Sequence, residues 1–366
     1  MERRSRRWFL FAAAAPLLAQ KPKSGSPIVR YLDPATEFPV LRLTDPSFTS
    51  LLPAHYNRAV ARRGNFLIYA SDAEGVMAVH RLDLKTGASR ALTEAAGLDP
   101  ASLTLTADER SLCYIAGGRL LQINLGSGRV REVYRVPEGF EARGGMSVAE
   151  DGLYAALIER QGEKSRLRLV KMVDGLATTL AEANEEMSDP IPRPKRASVL
   201  YRRGDGLWIA NYDAQQNYRL KLADGEWGAA NWGPDGRSVL YLNYPADSHR
   251  LHGIREVVPD TKEDKAVADT TQYVGFERNA DASVFVGASG SKASPYLFLL
   301  VRAVKRELTL CEHRASDPRM VAPVFSPNSQ SIYFGSDRHG KPAIYSMAVE
   351  KLVSETDSNQ EGGLGK

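Results

Sequence analysis

Two tryptophans five residues apart, Trp227 and Trp232 in EWGAANWGPDG, stand beside Asn231 and near several arginines. Aromatic faces next to amides and guanidinium groups suit a sugar, whose apolar ring face stacks while its hydroxyls take hydrogen bonds. The competing expectation is that the same indoles fill space between packed sheets. Six histidines are available in all. His249 and His252 in SHRLH have the spacing of a metal pair on a helix, but no third ligand is near and the segment reads as loop. Cys113 and Cys311 lie too far apart for a metal motif; two buried thiols are expected, with a disulfide left open. No Gly-x-Ser-x-Gly elbow, phosphate-cradling glycine loop or Cys-x-x-Cys pair occurs.

The elements that must position these residues repeat. A polar turn followed by an apolar strand recurs in RRGNFLIYASD, TADERSLCYIAG, AEDGLYAALIER, PKRASVLYRRGDG, GPDGRSVLYLNYP, NADASVFVGASG and SPNSQSIYFGSDRHG. Anchored on Gly64, Asp108, Asp151, Arg196, Asp235, Asp281 and Asn328, the units are 39 to 47 residues long, the length of a four-stranded propeller blade. Lys85-Thr86-Gly87 and Gly126-Ser127-Gly128 read as hairpin turns between later strands. The fold class is therefore all-β, a seven-bladed propeller with four-stranded blades. The seventh unit reaches only its third strand, PAIYSMAVE, so EFPVLRLTD near the start is expected to complete the last blade and close the ring. This predicts one propeller over residues 36–353, a linker over 20–35 and a disordered tail over 354–366. In such a ring the residues just ahead of each apolar strand, among them LLPAHYNRAV, MSDPIPRP and TQYVGFERNAD, are the expected ligand contacts.

Residues 1–19 have a basic head, an apolar run and a small residue at Ala19, the pattern of a signal peptide; Ser5-Arg6-Arg7-Trp8-Phe9-Leu10 fits the twin-arginine type. A periplasmic or secreted location follows, with no membrane span once the leader is removed. The formal charge of +4 carries +3 from this leader, so it does not argue for a nucleic-acid partner.

The strings VLRLTDPSFTS, HYNRAV, FLIYASDAEG, WGAANWGPDGRSVLYL and LTLCEHRASDPRMVAPVFSPNSQSIYFGSDRHGKPAIYSM together resemble the oligogalacturonate lyases. The repeats also resemble TolB-type propellers. The lyase resemblance implies β-elimination on pectin-derived oligogalacturonides: a histidine takes the proton α to the uronate carboxylate, and a Mn²⁺-type ion held by imidazoles and an amide neutralises that carboxylate. Here the implied ligand positions hold Tyr273, Asp317, Met320 and Ala322, and the base position holds Ala229. No cofactor is expected and activity is uncertain. His313 remains as the catalytic candidate, and His55, Tyr56, Arg203, Asn231, Trp232, Tyr273 and Arg319 are the candidate substrate contacts, Arg203 and Arg319 as partners for a carboxylate. An acidic oligosaccharide is the expected partner. The alternative is a non-catalytic TolB-like propeller that binds a protein or peptide.

Overall fold

The apolar runs seen in the sequence fold as fully buried strands. Phe66–Ser71 and Val284–Ser289 bury every residue, because each lies inside a sheet covered on both faces by neighbouring sheets. A computed structural model describes residues 28–352. It contains seven sheets arranged as a seven-bladed propeller, six of four antiparallel strands and one of five. Two short 3-10 turns, Pro100–Ser102 and Pro318–Val321, precede the second and seventh blades. Among the described residues no helix is long and apolar enough to cross a membrane. The leader expected at 1–19 and the tail expected at 354–366 lie outside the described residues.

The core is divided among the seams between blades. One cluster joins Ile68 and Val79 of blade 1 to Tyr114 and Ile123 of blade 2; another joins Tyr69 and Leu82 of blade 1 to Tyr333 and Ile344 of blade 7, so the ring is closed. The hairpin turns follow the expected chemistry. Asp83 Oδ1 accepts from the amides of Lys85 and Thr86, and Gly87 supplies the positive φ of 72° that a side chain would resist.

The last blade is completed as expected: strand Pro39–Arg42 pairs antiparallel with Ala343–Ala348, Leu41 opposite Ser346 and Arg42 opposite Tyr345. A further strand, Val29–Leu32, pairs with Pro39–Arg42 and extends the blade to five. It falls in the stretch expected to be a linker. Its turn is organised by buried Asp33, whose Oδ1 accepts from Ala35 and Thr36 and whose Oδ2 accepts from Glu312 N of blade 6. A second difference concerns depth. The repeated apolar run is the second strand of each blade, and strings expected as connections, such as EWGAANW, are themselves the inner strands.

Candidate functional site

Four consecutive inner strands lose register with their neighbours near the ends where they enter the ring. The breaks fall between Ala142 and Met146, Ser188 and Ile191, Trp227 and Ala230, and Tyr273 and Gly275. Such bulges turn backbone and side chains out of the ladder toward the axis. Asp189, with φ of 53°, sits in one of them. Gly145 sits in another: a Cβ there would lie 2.5 Å from the Tyr56 hydroxyl, and its φ of 105° favours glycine. The Tyr56 phenol can thus lie against the Asp189 carboxylate. Burial, and then the Asp189 and Asp99 charges, hold its pKa well above the ordinary tyrosine value.

Arg202 reaches the Asp189 end of the funnel, its mouth, from the hairpin of blade 4, and together with Trp227 it lines a separate cleft of about 760 Å³ between blades 4 and 5. Its guanidinium stacks 3.9 Å from the Trp227 ring centroid, donates from Nη2 to Gly228 O at 3.0 Å, and holds Nε 3.7 Å from Asp189 Oδ2. The Trp227 indole N–H donates to Asp205 O at 2.7 Å, which fixes the plane on which Arg202 rests. The Asp189 contact is longer than a hydrogen bond, so a carboxylate-bearing ligand can compete for the guanidinium edge.

Below the mouth runs an axial cavity of about 460 Å³. His55, Tyr56, Asn231 and Trp232 line it, so the ring brings four of the expected contacts together. Most of its polar groups are engaged with one another. His55 Nε2 lies 3.3 Å from Ala230 O, Asn231 Nδ2 donates to Glu277 Oε2 at 3.1 Å, and Arg278 Nε donates to Trp232 O at 2.9 Å. Trp232 is 1% exposed and its N–H donates to Ile191 O at 3.0 Å, so this indole packs between blades 4 and 5. Among the described residues, Arg58 Nη1 and Asn57 Oδ1 are buried there without a hydrogen-bond partner.

The other candidates lie elsewhere. His313 is 0% exposed; its Nε2–H donates to Ser289 O at 3.0 Å and its Nδ1 accepts from Ala315 N at 3.1 Å. Burial, with Arg338 nearby, lowers its pKa. Both ring nitrogens are committed inside the protein. Arg203 pairs with Glu185 at 3.1 Å and covers Trp208 on the opposite face of its strand from Arg202. Arg319 is a surface side chain paired with Asp317 at 3.0 Å. Tyr273 is wholly buried, stacked on Phe298, with a hydroxyl that lacks a hydrogen-bond partner of normal geometry and is held well above the usual value by burial and Glu307.

These placements bear on the Mn²⁺ ion that the resemblance implies. Of the four implied positions only Asp317 offers a ligand suited to a hard-to-borderline dication, and it is paired with Arg319; the core phenol of Tyr273, the thioether of Met320 and the methyl group of Ala322 do not fit one. Among the described residues no group of three or more His, Cys, Asp or Glu side chains is placed to hold a metal. Ala229 packs against the core cluster of blades 5 and 6. Sequence reasoning missed Arg202, Asp189 and Trp227 as a unit. The traces are in the sequence: Asp189 lies in MSDPIPRP, ahead of an apolar strand, and Arg202 adjoins Arg203.

A family model described as oligogalacturonate lyase matches residues 23–166. The oligogalacturonide lyase of Pectobacterium atrosepticum is 25% identical over 375 residues, covering 88% of this chain and 96% of the relative. The oligogalacturonate lyase of Dickeya dadantii is 24% identical over the same shares. Among solved structures, an oligogalacturonate lyase in complex with manganese is 26% identical and matches with a TM-score of 0.84 over 90% of this chain and 99% of that chain. An oligogalacturonate lyase from Vibrio parahaemolyticus gives a TM-score of 0.82 at 24% identity, over 88% of this chain and 96% of that one.

Proposed function

The chain belongs to the oligogalacturonate lyase family, and from that premise we propose that it binds galacturonate oligosaccharides at the funnel mouth, outside the cytoplasm, without metal-assisted elimination. The observation that carries this reading is Arg202, over the Trp227 ring and bonded to Gly228 O, with only a long contact to the Asp189 carboxylate. A guanidinium edge of this kind accepts a uronate carboxylate through two parallel N–H donors. The leader pattern in residues 1–19 supports export.

Elimination needs a base beside the proton α to the carboxylate. Apart from His55 in the cavity, the candidate groups are unsuited to this task. His313 has both nitrogens bonded inside the core, and the Tyr56 phenol is kept protonated by burial and by Asp189. Position 229 supplies only a methyl group. Arg202 can hold and neutralise a carboxylate, and among the described residues His55 is the one imidazole lining the cavity, its Nε2 held 3.3 Å from the Ala230 carbonyl.

The test is to mix purified protein with tri- and tetragalacturonate, with and without Mn²⁺, following the absorbance of unsaturated product and, separately, the heat of binding. Binding without product is expected, and Arg202→Ala should weaken it roughly 10- to 100-fold, the loss of a charged hydrogen-bonded pair. Metal-stimulated product would overturn the assignment of the ligand positions. Product without metal would overturn the expectation of binding alone. Silence in both assays would leave the protein- or peptide-binding propeller as the better reading.

A further inference from the structure

A second cleft, about 860 Å³, lies between blades 5 and 6 and away from the axis. Most of its unused polar groups can donate. The side chains of Arg250, Lys305 and Arg306 line it, and no hydrogen bond or ion pair engages them among the described residues. Thr270, only 5% exposed, has a buried hydroxyl without a partner, and His252 has a buried Nδ1 without one. Buried polar atoms are almost always satisfied, so two orphans in one cleft mark the place of a missing hydrogen-bond partner. Two carboxylates belong to the same cleft. Glu307 is occupied by the amide and hydroxyl of Thr271, and Asp269 is exposed at the edge. Leu251 and Val304 expose apolar surface at the rim. Carboxylate partners, neutral donors and apolar patches together suit an acidic sugar better than a bare inorganic anion.

Tyr244 reaches from Gly228, beside Arg202, to His252 at this cleft. The Tyr244 hydroxyl donates to Tyr273 O at 3.2 Å and lies so close to Gly228 that a Cβ there would be 2.4 Å away. The other edge of the Tyr244 ring meets the His252 imidazole at 4.7 Å between centroids. Gly228 is the residue whose carbonyl anchors Arg202.

We propose that the cleft between blades 5 and 6 is an outer subsite for a longer galacturonate chain, which enters at Arg202, crosses Tyr244 and sets a second carboxylate against Arg250 and Arg306. This rests on the reading of the funnel mouth as a uronate site. A disaccharide would occupy the mouth alone, whereas a tetrasaccharide would gain the cleft.

The experiment measures binding of di- and tetragalacturonate to the wild-type chain, to an Arg250→Ala/Arg306→Ala double variant and to Arg202→Ala, with polyglutamate of matched charge as a control anion. The expected result is tetragalacturonate binding about tenfold or more tighter than digalacturonate. The double variant should lose that gain, keep its disaccharide affinity and melt at the wild-type temperature, since neither arginine has a partner to lose. Arg202→Ala should weaken both oligomers. A length-dependent gain that survives the double variant, or no gain at all, overturns the subsite while leaving the mouth intact. Equal loss of polyglutamate binding in the double variant reduces the cleft to a general anion surface and overturns its assignment to uronate. Failure of the wild type to bind either oligomer overturns the mouth, and the subsite with it.

Discussion

His313 is better described by the two bonds on its ring than by its capacity for chemistry. Burial lowers its pKa in the folded chain, whereas the unfolded imidazole takes a proton near its ordinary value of about 6.5. Between those two values the unfolded chain binds more protons, so stability is flat above about pH 7 and falls as pH drops through about 6.5 toward the lowered native value. His80, buried beside Tyr69 with its pKa also lowered by burial, acts in the same direction. Urea midpoints measured between roughly pH 7.5 and 5 should show this decline, and His313→Gln should flatten part of it while costing about 1–3 kcal/mol. Midpoints that rise on acidification would contradict the assignment. The same residue shows where sequence reading stops. Its type and its neighbours in LCEHRAS are visible, but the carbonyl of Ser289 that captures Nε2 comes from another strand. Arg202 and Arg203 teach the complementary lesson. The pleat sends adjacent residues to opposite faces, so one step of register decides which guanidinium reaches the mouth.

Among the elements, the clasp strand Pro39–Arg42 carries the clearest prediction. Val40 is wholly buried against Phe334, Tyr345 and Met347 in the cluster that joins blades 6 and 7. Val40→Ala should cost about 1–3 kcal/mol and lower the urea midpoint without changing the slope. Val40→Asp should open the blade, leaving Ala343–Ala348 as an unpaired edge that self-associates, which light scattering would detect. An unchanged midpoint in the alanine variant would mean that the strand adds nothing to closure. This element was legible because EFPVLRLTD resembles an outer-strand string and the seventh unit was one strand short. The added strand Val29–Leu32 was not, since its four residues are anchored through Asp33 to an amide of blade 6. The inner-strand bulges were equally hidden: register is a property of two strands together, and Gly144-Gly145 is the one local trace of them.

At the scale of the whole molecule, the two thiols report on how far the ring acts as one unit. Cys113 packs in the seam of blades 2 and 3 and Cys311 in that of blades 6 and 7, both free and buried. Burial pushes the Cys113 thiol up to about 12 and raises Cys311 as well, so neither reacts while the chain is folded. Because every blade has two neighbours, both thiols should become reactive to an alkylating reagent at the same urea concentration. Separate midpoints would show that opposite sides of the ring open independently. Closure by a clasp also sets a timetable. The strand at 39–42 leaves the ribosome about 300 residues before its partner at 343–348 is made, an interval of roughly 15–60 s at about 5–20 residues per second. Throughout that interval the emerging chain holds a strand whose mate has not been translated, so the ring can shut only after residues 343–348 have emerged.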